Sequence, residues 1–313
     1  MTPEHLSLIM FLSTIGLLVL GFPVALTLGG SALLFAFLGD FLDIFNSGIL
    51  NIYPLRIFGV MKNEPLVAVP LFIFMGVMLE KSNLAGELLE AMGSLFGTLR
   101  GGLGISVLIV GAMLAASTGI VGATVVTMGL MSMPVMLRAG YDPRLASGLI
   151  CSSGTLGQII PPSIVLVLLG DILQGANEQA AEMKGILVPV PVTAIDLFAG
   201  ALIPGLILVS LYVLWQIFLA IFKPNTCPAI QTLGELKKPS ITYLLKTIFP
   251  PLFLIIIVLG SILAGIATPT ESAAVGAIGA STLAWQRGVL TLSILKKVSQ
   301  ETTKISSMVF VIL

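Results

Sequence analysis

The sequence predicts an all-α polytopic membrane protein, and three observations lead to this fold class. Of the 313 residues, 57% are apolar and only 10% are charged, whereas about a quarter of the residues of a typical soluble domain are charged. The mean hydropathy is +1.10. Charged residues are also absent from five long windows, residues 6–39, 101–137, 145–170, 197–222 and 247–270. Because about 20 apolar residues cross a bilayer as a helix, each window can hold one span or two half-spans.

Composition and motif content exclude several classes of function. Fifteen Lys and Arg residues balance fifteen Asp and Glu residues, so no basic field attracts nucleic acid. One His and two Cys residues cannot form a metal-ligand cluster or a disulfide framework. The sequence contains no HExxH, GxSxG or Walker A motif. We therefore expect neither an enzyme nor a resident cofactor. A membrane-embedded enzyme is the weakest alternative, since no nucleophile–base pair is visible.

The basic residues between the windows predict which segments face the cytoplasm. Arg100, Arg138 and Arg144 flank two windows, and the positive-inside rule assigns them to the cytoplasm. The same rule places two predicted polar loops there, carrying Lys223, Lys237, Lys238 and Lys246, and Arg287, Lys296, Lys297 and Lys304. The segment 171–192, with its acidic residues, is predicted as an outside loop.

An amphipathic helix is predicted between the first spans and the second window. In residues 80–100, four apolar side chains recur at helical spacing, namely those of Leu84, Leu88, Leu89 and Met92. Such a helix would lie along the membrane surface as an arm.

The window 101–137 predicts a helical hairpin. Arg100 and Arg138 flank it, and both belong on the cytoplasmic side. Two full crossings need about 40 residues plus a turn, so a re-entrant hairpin with its tip near the midplane is favoured over two complete spans. The small and hydroxylated residues of the tip are candidate ligand residues: Ser117, Thr118, Gly119, Gly122 and Thr124.

The window 145–170 predicts a helix broken in the middle. Pro161 and Pro162 cannot lie inside a helix without a large cost, although proline suits the first turn of a new helix. The unwound segment would expose hydroxyls, the Gln158 amide and backbone carbonyls, which secondary transporters use for ions and substrates. The candidate residues here are Ser152, Ser153, Thr155, Pro161, Pro162 and Ser163.

Structural alternatives exist for each of these residues. A single Ser or Thr in a membrane helix usually bonds back to its own helix or joins neighbouring helices. Gly119 and Gly122 could serve close helix packing alone. Two hydroxyl clusters, each beside a helix break, together favour a ligand site.

Further along the chain, one helix start is marked by a local motif. Thr268 as N-cap, Pro269 at the first helical position and Glu271 two residues later predict a capping box. Glu64 and Asp196 border apolar runs, and we expect both at membrane interfaces rather than at a site.

Five ordered motifs resemble the large membrane subunit, of DctM type, of tripartite ATP-independent periplasmic (TRAP) transporters. They extend along essentially the whole chain: VPLFIFMG (69–76), TGIVGATVVTMG (118–129), RAGYDP (138–143), GQIIPPS (157–163) and ATPTESAA (267–274). Many members of the family carry an acidic residue in the hairpin-tip motif. This chain reads IVGAT there, so a role for that acid does not transfer.

The resemblance implies a mechanism and partners. It implies an elevator-type fold, similar to the ion transporter superfamily, with re-entrant hairpins and split helices in a bacterial inner membrane. It implies Na⁺-coupled uptake of an organic carboxylate that a periplasmic binding protein delivers, with a small four-helix membrane subunit as partner. Thr118 and Thr155 are the Na⁺ candidates. C4-dicarboxylates are the generic expectation, and sugar acids or other carboxylates stay open.

The predicted organisation has four parts. Residues 1–100 form scaffold spans and the arm, and residues 101–170 form half of a transport domain. Residues 171–247 form an outside loop, a long span and a cytoplasmic loop. Residues 248–313 begin a second repeat that inverted-repeat logic expects to be incomplete. A non-transporting membrane fragment or an assembly protein is the alternative to a transport subunit.

Overall fold

The computed structural model describes residues 3–82, 84–119, 121–186, 188–229 and 240–312, but not the side chains of Ser117, Thr118, Ala123 and Ile241. The regular elements of these residues are helical. In chain order they are α1 (Pro3–Val19), α2 (Val24–Phe41), α3 (Tyr53–Lys62), α4 (Ala68–Lys81), α5 (Leu84–Phe96), α6 (Gly102–Thr118), α7 (Val121–Arg138), α8 (Pro143–Thr155), α9 (Ile164–Met183), α10 (Ala194–Phe222), α11 (Ile241–Leu263), α12 (Pro269–Gln286) and α13 (Leu292–Ile312).

Three helices in the described part of the chain are long and apolar enough to cross a bilayer: α2, α10 and α11. The 29 residues of α10 extend over about 44 Å at 1.5 Å per residue, against a hydrocarbon core of about 30 Å. Large apolar side chains are exposed along its length, among them Ile203, Trp215 and Phe222. An exposed apolar surface of this extent fits lipid, not water.

The chain divides into two compact units. The first comprises Met1–Glu64 and Thr303–Leu313. Within it, α1 packs on α2, and the Thr14 hydroxyl donates a hydrogen bond of 2.9 Å to the Ser31 hydroxyl oxygen. Both side chains are buried, so this bond satisfies polar groups that an apolar interface would otherwise leave unpaired.

The second unit, Pro65–Thr302, contains the predicted hairpin and the broken helix. Its apolar core lies between α5, α6, α7 and α8 and includes Leu88, Val107, Met136 and Leu149. Leu84, Leu88 and Met92 of α5 are all buried, which confirms the apolar face predicted for this segment. A second contact pairs α4 with α12, whose buried alanines recur at helical spacing: Ala273, Ala277, Ala280 and Ala284.

The extent of α9 corrects one prediction. The helix continues past Gly170 to Met183, so Asp171, Glu178 and Glu182 lie on a helix and not in a loop. The physical reason is composition: the segment after Gly170 is rich in Ala, Gln, Glu, Leu and Met, which have high helix propensity even when they are polar.

Other polar segments are also helical where loops were predicted. Lys296, Lys297 and Lys304 lie on α13, and Lys246 lies within α11. Lys237 and Lys238 lie outside the described residues. The predicted helix over 80–100 is shorter, because Glu80 and Lys81 end α4 and α5 begins only at Leu84. Charge alone did not distinguish a loop from a helix that exposes a polar face.

Candidate functional site

The predicted hairpin is present as two helices joined at Gly119. Its arms, α6 and α7, have 17 and 18 residues, or about 26 Å each. Both fall short of a hydrocarbon core of about 30 Å, a length that favours a re-entrant hairpin. Gly119 ends α6 with a left-handed backbone (φ +60°), and its N–H donates to the Ala115 carbonyl at 3.1 Å. A side chain would be strained in this conformation.

The predicted helix break at Pro161 and Pro162 is confirmed. Helix α8 ends at Thr155, one 3-10 turn follows over Leu156–Gln158, and α9 begins at Ile164. Both prolines lie in the non-helical segment before the N-cap, not in the first turn of α9. Ser163 occupies the cap: its hydroxyl accepts from the Leu166 N–H at 3.4 Å and donates to the Gln158 carbonyl at 2.9 Å. The serine cap thus satisfies the Leu166 N–H at the start of α9.

The hairpin turn and the broken helix meet directly. The Gln158 side-chain amide donates to the Gly119 carbonyl at 2.9 Å. Next to it, Gly157 approaches α6 so closely that a Cβ atom would lie 2.8 Å from the Ala115 carbonyl oxygen. These contacts place the end of α6, the 3-10 turn and the start of α9 around one point.

Three predicted hydroxyls lie on the last turn of α8. Each donates to the carbonyl three residues earlier: Ser152 to Leu149 at 3.1 Å, Ser153 to Ile150 at 3.0 Å and Thr155 to Ser152 at 2.8 Å. Their protons are therefore engaged within the helix, as the structural alternative expected. Each oxygen keeps lone pairs that can still accept a bond or bind a cation. Of the three side chains, that of Thr155 is exposed.

The remaining candidate residues occupy different environments. Thr124, Pro161, Pro162 and Ser163 are buried. Gly122 is exposed, and a Cβ atom there would meet no described atom within 4 Å, so close packing does not explain this glycine. The side chains of Ser117 and Thr118 lie outside the described residues, and the Na⁺ role of Thr118 stays a prediction.

Gln158, whose amide the sequence analysis placed in the unwound segment without naming it among the candidate site residues, is a functional candidate in the structure. Its Oε1 atom is buried and has no hydrogen-bond partner within the described part of the chain. A buried amide oxygen without a partner has lost its hydrogen bonds to water, which costs free energy. A ligand that binds this oxygen can restore that free energy. The available signal was one amide between two apolar half-helices, in the run GQIIPPS.

The base of the hairpin is held by hydrogen bonds from three segments. The Gly101 N–H donates to the Cys227 carbonyl at 2.9 Å, and the Gly104 N–H donates to the Tyr141 hydroxyl oxygen at 3.1 Å. Gln216 of α10 donates to the Gly101 carbonyl at 3.3 Å. Burial raises the pKa of Tyr141 to about 12, so the phenol stays neutral at physiological pH.

Two capping boxes define helix starts elsewhere in the second unit. The predicted box of Thr268 and Glu271 is confirmed: the Thr268 hydroxyl accepts from the Glu271 N–H, and the Glu271 carboxylate accepts from the Thr268 N–H at 2.8 Å. A second box, not predicted, joins Thr193 to Asp196 at the start of α10. Asp196 thus caps a helix.

Comparison with known proteins shows which family the chain matches. A family model described as "Tripartite ATP-independent periplasmic transporter, DctM component" matches residues 11–313. A C4-dicarboxylate TRAP transporter large permease protein from Rhodobacter capsulatus is 30% identical over 282 residues, which cover 87% of this chain and 59% of that protein.

Other relatives carry different substrates in their names. An ectoine TRAP transporter large permease protein from Halomonas elongata is 27% identical, over 85% of this chain and 56% of that protein. An isethionate TRAP transporter permease protein from Oleidesulfovibrio alaskensis is 29% identical, over 83% of this chain and 37% of that protein. The chain thus spans little more than half the length of the first two relatives. It belongs to the DctM family, the large permease component of TRAP transporters, which is a family of membrane permeases and not of enzymes.

Proposed function

We propose that this chain forms half of the ion and substrate site of a Na⁺-coupled carboxylate uptake system in the bacterial inner membrane. The observation that carries the proposal is Gln158, whose Nε2 joins the hairpin turn while its buried Oε1 has no partner among the described residues. A free amide oxygen at a helix break is a ligand that suits a hard cation.

Na⁺ fits the donor chemistry of this point. The polar side chains at this helix break offer oxygen ligands, namely the Gln158 amide oxygen, which has no partner among the described residues, and the Thr155 hydroxyl at the end of α8. In the part of the chain that the structure describes, His, Cys, Asp and Glu form no group of three that could hold a transition metal. A hard monovalent cation prefers neutral and carboxylate oxygens.

A carboxylate would be held by dipoles and the coupling ion, not by a basic side chain. Residues 101–137 and 145–170 contain no Lys, Arg or His. Helix α9 begins at this break, and the positive end of a helix dipole attracts an anion. Because Na⁺ would supply the compensating charge, substrate and ion would bind together, which is the basis of coupling.

The mechanism of the proposed system is of elevator type. The Gln158 amide joins the broken helix to the hairpin turn, and residues 101–170 would move as one body against scaffold spans in residues 1–100. A periplasmic binding protein would deliver the substrate, and a small four-helix subunit would complete the membrane complex. A C4-dicarboxylate is the first substrate to test.

Uptake by the native permease in reconstituted vesicles tests this proposal. The permease, its small subunit and its binding protein are combined with labelled succinate, ectoine or isethionate, under an inward Na⁺ gradient or an equal K⁺ gradient. We expect uptake of one carboxylate or sulfonate only with Na⁺. Equal uptake with K⁺, or uptake that requires ATP, would contradict the proposal.

A further inference from the structure

A cavity separate from the hairpin turn lies between α5 and the lower half of the hairpin. Its volume is about 350 Å³, within the range of small-molecule sites. Apolar side chains from the three helices form its walls: Leu89, Leu103, Val107, Met131 and Val135.

Two polar side chains indicate which kind of ligand the cavity can bind. Ser132 lines it, is 3% exposed, and has an Oγ atom without a hydrogen-bond partner within the described residues. Glu90 also lines it and is exposed. No ion pair to Glu90 forms in the described part of the chain, whose salt bridges involve Glu80, Glu87 and Glu301.

We propose that the cavity binds a small amphipathic cation, with an ammonium group beside Glu90 and a compact aliphatic or aromatic body against the apolar walls. An anionic amphiphile such as a fatty acid would place its charge beside a carboxylate, which is unfavourable. A diacyl lipid exceeds the volume. A polar group on the body of the ligand can pair with the buried Ser132 hydroxyl, which has no partner among the described residues.

Because of the position of the cavity, a ligand bound there would affect the packing of α5 against the hairpin. Leu89 and Glu90 belong to α5, whereas Val107 and Met131 belong to the two arms of the hairpin. A bound cation therefore bridges α5 and the hairpin far from the Gln158 contact. It would stabilise their present packing and oppose any movement of one helix against the other.

Photolabelling of the native permease in detergent micelles tests the proposal. Three probes share one diazirine-bearing alkyl chain and differ in their head group: ammonium, hydroxyl and carboxylate. We expect the ammonium probe to label peptides that contain Leu89 or Met131 most strongly, the alcohol less, and the carboxylate least. Equal labelling by all three probes would overturn the proposal.

Variants distinguish labelling inside the cavity from labelling by probe that has only partitioned into the micelle. Glu90→Gln should reduce labelling by the ammonium probe about tenfold, as expected for loss of a charged hydrogen bond, and leave the alcohol probe unchanged. Glu182→Gln, an exposed carboxylate on α9, is the matched control and should change neither. Glu90 is exposed, so its replacement leaves the core intact. Unchanged ammonium labelling in Glu90→Gln would overturn the proposal.

Two further experiments decide what occupies the cavity. Val135→Phe narrows the cavity and should reduce labelling by the ammonium and alcohol probes alike; unchanged labelling in the folded variant would place the probe elsewhere. Labelling that is present in micelles and lost in phosphatidylcholine vesicles would show that an acyl chain fills the cavity, and the cation proposal would fail.

Discussion

The two ends of the α6–α7 hairpin are built in different ways. At the base, Gln216 of α10, Cys227 and Tyr141 of the α7–α8 connection all form hydrogen bonds with Gly101 or Gly104. At the turn, contact depends on close backbone approach at Gly157 and on the amide of Gln158. The base is thus fixed by polar contacts, whereas the turn keeps an acceptor that a ligand can use.

Two glutamines make this comparison specific. Gln158 at the turn and Gln216 at the base each donate to a glycine carbonyl, and each has a buried Oε1 without a partner among the described residues. Gln216 is completely buried, whereas Gln158 is half-buried. Part of the Gln158 side chain therefore reaches an accessible surface, whereas Gln216 does not, and we expect the ion at the turn. The same side chain serves structure at one end and is available for binding at the other.

The largest expected effect follows from crowding the turn. Gly157→Ala places a methyl group 2.8 Å from the Ala115 carbonyl oxygen, an overpacking that costs about 1–3 kcal/mol. If this cost falls on the ion-bound state, the Na⁺ concentration for half-maximal uptake rises about 5- to 100-fold. Uptake at several Na⁺ concentrations measures this change.

Gly148→Ala provides the control for this substitution. Gly148 lies in α8, and a Cβ atom there would meet no described atom within 4 Å. The added methyl group should leave transport unchanged and stabilise α8 slightly. If uptake by the two alanine variants depended on Na⁺ concentration in the same way (equal Na⁺ curves), the close approach at Gly157 would have no role in Na⁺ binding.

At the base, loss of the Tyr141 hydroxyl should affect stability and not coupling. Tyr141→Phe leaves the Gly104 N–H without its partner, which costs about 1–3 kcal/mol in a buried site. We expect a lower free energy of unfolding, measured through the fluorescence of Trp215 and Trp285, and an unchanged Na⁺ curve in the folded protein. A shifted Na⁺ curve with normal stability would reverse the roles of base and turn.

The same phenol predicts a pH dependence. Folding raises the pKa of Tyr141 from 10.0 to about 12, so the folded state favours the neutral form. Its contribution to stability is complete below about pH 10 and is lost as the pH rises towards 12. The free energy of unfolding of the wild type should therefore fall more steeply over this interval than that of Tyr141→Phe. If the free energy of unfolding of the two proteins depended on pH in the same way, this assignment would be contradicted.

The Thr155 hydroxyl should have a smaller effect on ion binding. Thr155→Ala removes one oxygen from the end of α8 and should raise the half-saturating Na⁺ concentration a few-fold. Ser147→Ala removes a hydroxyl that donates to a carbonyl three residues earlier on the same helix, outside the contact with the turn, and should leave the Na⁺ curve unchanged. Identical curves would assign Thr155 a purely structural role.

The smallest effect is expected far from the hairpin, at the start of α12. Thr268→Ala removes the N-cap and should destabilise the protein by about 1 kcal/mol. Transport at saturating Na⁺ should stay within twofold of the wild type. A selective loss of Na⁺ activation would mean that this helix start contributes to the ion site.

Local chemistry made the helix starts and breaks predictable from sequence. Pro161 and Pro162 must interrupt a helix, and Thr268 with Glu271 must begin one, because the relevant hydrogen bonds involve residues only a few positions apart. The hairpin followed from an apolar window too short for two crossings. These predictions need no knowledge of tertiary contacts.

Tertiary contacts determine the features that sequence reasoning missed. Gln158 becomes a candidate because its amide reaches Gly119, 39 residues away, and Gln216 reaches Gly101 over a larger separation. The segment 171–183 is helical because its residues have high helix propensity. It was predicted as a loop because polar helix-forming residues and loop residues give the same charge pattern. The glutamine contacts are not encoded within a short window of sequence, whereas the helix over 171–183 is encoded in local helix propensity, which a charge pattern does not measure.

The Na⁺ dependence of uptake by Gln158→Leu and Gln216→Leu tests the central claim most directly. Both substitutions remove one amide that bonds to a hairpin glycine, and both replace it with an apolar side chain of similar size. We predict that Gln158→Leu raises the half-saturating Na⁺ concentration at least tenfold with little change in unfolding. We predict the opposite for Gln216→Leu, reduced stability with an unchanged Na⁺ curve. Equal Na⁺ curves for the two variants would contradict the assignment of the ion site to the hairpin turn.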